Sequence, residues 1–316
     1  MTTYIGIDIS KATFDAATTE HKHSHAFANT PAGFKKFIQW LNPYEDSHIV
    51  MEATGKYYLG LALVLHGQGV AVSVINPLQI KHYAQSKLKR IKTDSEDAKL
   101  IAQYGETHSL KPWQPDRPII AKLQEYSTLT QLLIHSKTQL KNQMKTSLEP
   151  EIKAIQCEQI KHLEQQIDKI HTAMKGCIED DTVLKQKVKA LTTIKGISDK
   201  TAIELVTYIK DINRFDKAKQ LASYAGLTPK INQSGTSLKT SSLSKMGNAN
   251  LRKCLYMPAV NGVAYNPILK AFADRLRARG VTGKKMIAAV MRKLIHIVFA
   301  ILKSGKPFDP EYEIRA

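Results

Sequence analysis

Acidic residues placed at the ends of apolar, β-branched runs constrain this chain more than any other feature. Tyr4 to Ile9 reads as a buried strand carrying Asp8 near its end, and His48 to Met51 reads as a second that delivers Glu52. A carboxylate set into a buried strand is costly unless a cation or hydrogen-bond donors compensate it. Asp94 and Asp97 follow at i, i+3 spacing, which puts both on one face of a helix starting near Thr93 and turns Glu96 away from it. Four acids gathered at one point repel one another and raise their own pKa values unless a divalent cation neutralises them. All-oxygen ligation favours Mg2+ or Mn2+ over zinc. Taken singly, each acid has an ordinary alternative: Asp94 as a helix cap, Asp97 as a solvated residue, Asp8 in a turn. Their joint order and spacing favour a metal site.

The surrounding segments alternate strand and helix signals. Strands are expected at Tyr4 to Ser10, Thr13 to Thr18, Ser24 to Ala28, His48 to Met51 and Val70 to Ile75, with helices near Pro31 to Leu41, Tyr57 to His66 and Asp94 to Tyr104. Three early strands at hairpin spacing followed by alternation indicate a mixed sheet flanked by helices, the pattern of an RNase H-like domain. From Ile119 the texture becomes a long polar helix with an apolar seam at Ile119, Leu123, Tyr126, Leu133, Leu140, Met144 and Leu148. Pro150 interrupts it, and a second seam follows at Ile160, Leu163, Ile167, Ile170 and Met174. These read as a coiled-coil arm or dimer contact, with packing back onto their own domain as the alternative. A third part, helical with loops, starts near Asp181. The fold class is therefore α/β plus α, in three expected domains: 1–110, 111–180 and 181–316.

Charge placement narrows the class of partner. The net charge is +18, and Lys217 to Phe308 holds 17 Lys and Arg against the single acid Asp274. Such a stretch points to a polyanion. A second acid-free run ends in Lys87, Lys89, Arg90 and Lys92, directly before the Asp94/Asp97 pair, where it can hold a phosphate backbone. Three cysteines without a CxxC pair (Cys157, Cys177, Cys254) exclude a zinc signature and a disulfide framework. His21, His23 and His25 alternate on one strand face, but no Cys or carboxylate completes a ligand set, so an exposed hairpin is the simpler reading. No apolar run is long enough to span a bilayer and no secretory signal is evident, which makes the cytoplasm the expected compartment.

Leu191 to Val206 reads as two helices around a Gly-containing turn, whose amides can grip a phosphate beside Lys195. A loop rich in Gly, Ser and Thr is expected from Leu227 to Gly247, with Ser234 next to Gly235 and with Lys230, Lys239, Lys245, Arg252 and Lys253 within or just beyond it as candidate contacts to nucleic-acid phosphate. Composition alone reads Ser234 as an ordinary loop serine.

The motifs GIDISK, MEATGKYY, IKTDSEDAKLIA, IKGISDKTA, YAGLTPKINQSGTS and SLSKMGNANLRK, in this order along nearly the whole chain, resemble the DEDD transposases of insertion-sequence family one hundred and ten, the bridge-RNA-guided recombinases. The resemblance implies a RuvC-like domain whose metal-binding acids match Asp8, Glu52, Asp94 and Asp97. It also implies a C-terminal transposase domain with a helix-hairpin-helix, whose nucleophilic serine matches Ser234. It implies donor and target DNA, a structured guide RNA, dimers assembling to a tetramer with sites shared between protomers, and a bacterial, nucleoid-associated location. Met246 departs from the SKxGN pattern, in which relatives often carry a basic residue. A junction-selective nuclease without a covalent step, an actin-like ATPase and a non-catalytic RNA-binding protein are the alternatives. The ATPase reading needs Gly-rich phosphate loops, and this chain shows no GxxxxGK[ST].

Overall fold

The computed structural model describes residues 2–20, 24–44, 46–88, 93–232 and 240–311, so His21, His23, Lys89, Arg90, Lys92, Ser234 and Lys239 lie outside the described residues. The chain forms two compact units, Met1–Pro115 and Asp116–Ala316.

The first unit is built on strands β1 (Thr3–Ile9), β2 (Thr13–Thr18), β3 (His25–Ala28), β4 (Ser47–Glu52) and β5 (Ala71–Ile75), with helices α1 (Pro31–Leu41), α2 (Leu59–Gly67), α3 (Pro77–Ser86) and α4 (Asp94–Thr107). The sheet order is β3-β2-β1-β4-β5; β1, β2 and β3 pair antiparallel, whereas β1, β4 and β5 run parallel. Alternation along the strands sorts the two faces. Ile5, Ile7, Ile9, Ile49 and Met51 bury against Phe34, Phe37 and Leu41 of α1 and Leu61 and Leu65 of α2. Each such fully buried side chain contributes about 1.5–3 kcal/mol. The opposite face presents Tyr4, Val50 and Ile75 to Ile80, Leu100, Ile101 and Tyr104 of α3 and α4.

Local chemistry accounts for the helix starts. Thr30 and Asn76 cap α1 and α3 through their side chains, and Pro31 and Pro77 occupy the first turn, where no amide partner is needed. Thr93 caps α4 by accepting from the Glu96 amide. His25 lies in β3 with its ring 5.3 Å from that of Trp40.

In the second unit α5 (Pro118–Met144) and α6 (Pro150–Glu179) are long helices packed on one another. They are followed by α7 (Thr182–Thr192), α8 (Asp199–Ile209), a 3-10 turn at Ile212–Arg214, α9 (Ala218–Tyr224), the antiparallel pair β6 (Pro229–Asn232) and β7 (Thr240–Leu243), and α10 (Ala249–Cys254). Helices α11 (Tyr256–Tyr265), α12 (Pro267–Ala278) and α13 (Gly283–Ser304) complete it. One core runs through this unit, with Ile120, Leu123, Ile170, Met174 and Cys177 packed together with Leu191, Leu205, Leu251 and Leu294.

The expected seam of α5 differs in detail. Ile120, Leu123, Ser127 and Thr130 form its buried positions, while Leu148, expected in the seam, is 88% exposed. Leu148 lies in the link between α5 and α6, where Ser147 instead donates a hydrogen bond to Gln156 at 3.0 Å. No described helix is long and apolar enough to cross a membrane.

Candidate active site

The register of the first sheet brings the first two acids together. Ile7 of β1 stands level with Met51 of β4, so Asp8 and Glu52 fall side by side at the carboxyl ends of adjacent parallel strands. Ligands gather at this edge in open α/β sheets. Gly6, two residues before Asp8, points to the same face, and a Cβ there would lie 2.0 Å from the Ala98 carbonyl oxygen and 2.3 Å from the Ala102 amide. Gly105 repeats the device, since its Cβ would meet Tyr4 and Val50 at 2.7 and 2.8 Å. Helix α4 thus lies directly on β1, and only glycine permits that approach. The first turn of α4, with Asp94, Glu96 and Asp97, is directed by this docking. The positive end of the helix partly offsets their charge.

The charge of Asp8 responds both to its burial and to the other acids. The Asp8 carboxyl is raised from 3.8 to about 6, first by burial and then by the negative charges of Asp97, Asp94, Glu52 and Asp15. Glu96 is absent from that set and instead pairs with Lys99 at 3.6 Å. Glu52 accepts a hydrogen bond from Thr54 at 2.9 Å. Among the described residues no three His, Cys, Asp or Glu side chains already converge tightly enough to cage a metal ion. The donor set nevertheless suits a hard cation: every group is a carboxylate, and the repulsion on Asp8 is what a divalent cation relieves.

Asp15 is the acid that sequence reasoning missed. It sits opposite Asp8 across the antiparallel β1–β2 pair and takes a 3.3 Å hydrogen bond from Ser24. The signal lay in the short Ser10–Thr13 turn, which sets the hairpin register: Ser10 and Thr13 exchange backbone and side-chain hydrogen bonds.

In the second unit the segment expected to be loop from Leu227 to Gly247 contains the β6–β7 hairpin, and its stem is closed by backbone contacts. The Ser244 amide donates to the Thr228 carbonyl at 2.9 Å and the Asn248 amide to that of Tyr224 at 2.6 Å. Gly226 (φ +67°) and Gly247 (φ +130°) meet there: a Cβ on Gly247 would lie 2.4 Å from the Tyr224 carbonyl oxygen and 2.9 Å from the Gly226 amide. The Asn248 side chain caps α10 through the Leu251 amide and donates to the Tyr224 hydroxyl.

The basic residues singled out from sequence take distinct positions. Lys87 caps the end of α3 with its ammonium 5.6 Å from the Tyr83 ring centre. Lys195 is exposed in the turn between α7 and α8, and its carbonyl accepts from Asn266 at 3.4 Å. In that turn Gly196 (φ +105°) leaves no free space, since a Cβ would approach the Pro258 carbonyl oxygen at 3.2 Å. Lys230 and Lys245 are exposed, Lys245 at φ +56°. Arg252 donates to two backbone carbonyls, and Lys253 reaches Gln131 at 2.6 Å. Lys253 also acts on the part-buried Glu204, whose carboxyl is pushed up by burial and pulled down by Lys253.

The chain is similar to known proteins along most of its length. Residues 5–150 match the transposase family DEDD Tnp IS110, and residues 188–274 match the "Transposase IS116/IS110/IS902 family". The chain is 36% identical, over 97% of its length and 98% of the relative's, to a pilin gene-inverting protein of Moraxella bovis, and equally to one of Moraxella lacunata. A transposase for insertion sequence element IS1111A from Coxiella burnetii is 22% identical over 79% of this chain and 75% of its own.

Proposed function

The chain belongs to the IS110 family of transposases and is a DNA transposase/recombinase, and from that premise we propose that it exchanges DNA strands through a covalent phosphoserine link formed by Ser234 and assisted by the four carboxylates. The placement of Asp8 beside Glu52 at the ends of adjacent parallel strands, its carboxyl raised to about 6 by burial and then by the charges of Asp97, Asp94 and Glu52, is the observation that carries this reading. A divalent cation, Mg2+ or Mn2+, held by Asp8, Glu52, Asp94 and Asp97 would polarise the scissile phosphate and stabilise the leaving oxygen. The serine Oγ forms a bond to phosphorus as the bond to the leaving strand oxygen breaks and the hydroxyl proton is lost. Attack by another strand's hydroxyl then restores the serine and reseals the backbone. Bond count is conserved, so no external energy source is needed.

The pilin gene-inverting relatives favour strand exchange over simple hydrolysis, because inverting a segment requires every cut end to be rejoined. A junction nuclease acting through water leaves ends that it cannot reseal. The proposed division of labour is a RuvC-like domain at 1–110, a coiled-coil arm at 111–180 and a transposase domain at 181–316. Its helix-hairpin-helix, at the turn between α7 and α8, grips backbone phosphate. Lys87, Lys89, Arg90, Lys92, Lys195, Lys230, Lys239, Lys245 and Lys253 contact nucleic acid. A structured guide RNA selects donor and target by pairing, leaving the protein to read backbone and shape. Dimers assembling to a tetramer let the acids of one protomer meet the serine of another.

The test is adduct trapping on a denaturing gel. Wild-type protein with Mg2+ is expected to become linked to DNA, whereas Ser234→Ala keeps DNA and RNA binding and forms no adduct. An adduct with Ser234→Ala would overturn the serine assignment; cleavage without any wild-type adduct would favour the nuclease. Sequencing RNA that copurifies with the protein tests the guide, since it must contain segments complementary to both DNA partners.

A further inference from the structure

Arg252 was grouped above with the phosphate-binding residues on charge and position alone, yet its surroundings argue for another role. Its Nη1 donates to the Ala225 carbonyl at 3.1 Å and to the Lys245 carbonyl at 3.1 Å. Ala225 lies four residues before the start of β6, and Lys245 two residues after the end of β7. One side chain, half-buried, therefore ties both ends of the stem to α10.

The glycines on either side are shaped to this arrangement. A Cβ on Gly226 would lie 2.4 Å from Arg252 Nη1 and 2.8 Å from the Met246 carbonyl oxygen, so the guanidinium occupies the space that a side chain would need. Gly247 closes against Tyr224 and Gly226 from the other side. A second cation repeats the contact from α13, where Arg292 Nη1 donates to the Leu227 carbonyl at 3.4 Å. Ala225 is buried, so its carbonyl needs a protein donor, and the same arginine nitrogen also serves the carbonyl of the exposed Lys245.

We infer that Arg252 is a positioning residue for strand transfer: it fixes the base of the β6–β7 pair by tying the chain on either side of it to α10, and it is not a phosphate ligand. The inference rests on the proposed reading of Ser234 as the nucleophile. Lysine at this position keeps the charge but is shorter, so its ammonium holds a phosphate but falls short of the point from which Nη1 reaches both carbonyls. Misplacing a reacting group by about 1 Å costs on the order of a hundredfold in rate.

The experiment combines salt-dependent DNA binding with strand exchange on the full-length protein. Losing a phosphate contact lowers the slope of log K against log salt by about one. Arg252→Ala and Arg252→Lys are both expected to keep the wild-type slope while cleavage and exchange fall at least roughly tenfold. Gly247→Ala, which removes no charge, should reproduce that loss. Should Arg252→Ala not fold, Arg252→Lys carries the same reading, because its folding is followed by circular dichroism and its charge is unchanged. A slope lowered by about one in Arg252→Ala, or full exchange by Arg252→Lys, would overturn the inference. The serine reading fails separately: Ser234→Ala that still forms an adduct sinks it, whereas loss of cleavage at unchanged slope in Arg252→Lys leaves the clamp standing.

Discussion

The two units hold their chemistry in different ways. In the first, the acids are placed by backbone packing: strand register sets Asp8 beside Glu52, and Gly6 lets α4 lie on β1 so that its first turn follows. In the second, the hairpin stem is held by side chains reaching to carbonyls, Arg252 and Arg292, around two interlocked glycines. The first arrangement concentrates like charge and keeps it there, at the cost of repulsion that falls on Asp8. The second closes the stem of a strand pair through hydrogen bonds to backbone carbonyls.

Breaking the backbone contact in the first unit should have the largest effect. Gly6→Ala drives a methyl into α4 and is expected to cost about 3 kcal/mol. The only two tryptophans, Trp40 and Trp113, both lie in this unit, so fluorescence during urea unfolding reports on it alone. Helical circular dichroism from the second unit should persist beyond that transition.

Next in size is relief of the repulsion. Asp8→Asn removes the burdened charge and is expected to stabilise the first unit by about 1 kcal/mol, in keeping with the trade between stability and activity at strained sites. Strand cleavage should be abolished. Mg2+ should raise the unfolding midpoint of the wild type more than that of Asp8→Asn; equal shifts would show that the carboxylates do not share the ion.

The second unit offers a comparable test without charge. The Thr130 hydroxyl is buried and has no hydrogen-bond partner. Thr130→Val keeps its shape, removes that cost and should stabilise the unit by about 1 kcal/mol, read by thermal unfolding followed at the helical signal.

A small pH effect sharpens the contrast. Burial lowers the His48 pKa below 6.5, and its ring stacks on Tyr4 with Nε2 2.8 Å from Ser73 Oγ. Because Ser73 donates its proton to the Lys111 carbonyl, His48 is the donor in that bond. The unfolded state takes up the proton first, so the stability contributed is complete above 6.5 and is lost as pH falls toward the lower folded value. Relative to His48→Gln, the wild type should lose first-unit stability, read by tryptophan fluorescence, as pH falls below 6.5, superposed on the stability returned when Asp8 takes up its proton near 6.

Much of the fold was legible because local chemistry and periodicity agreed. The helix Pro31–Leu41 and the strand Thr13–Thr18 stand where capping, proline placement and alternation put them. Helix α3 was overlooked because its run, Pro77 to Ser86, buries only Ile80 and so carries almost no apolar period. The β6–β7 pair was read as loop because its strands are short and polar, and their pairing depends on a stem closed from outside by Arg252 and Gly247. Ser127 and Thr130 escaped the α5 seam because polar side chains do not announce burial.

For the site, residue types and spacing along the chain were enough to nominate Asp8, Glu52, Asp94 and Asp97 and to place the cationic excess in the C-terminal part, since charge, strand period and helix period are local properties. Asp15 joining the acids, and Arg252 turning inward to two carbonyls, were decided only by tertiary structure. Both depend on register and close approach between segments distant in sequence, where a carboxylate or a guanidinium takes its role from what the fold sets against it.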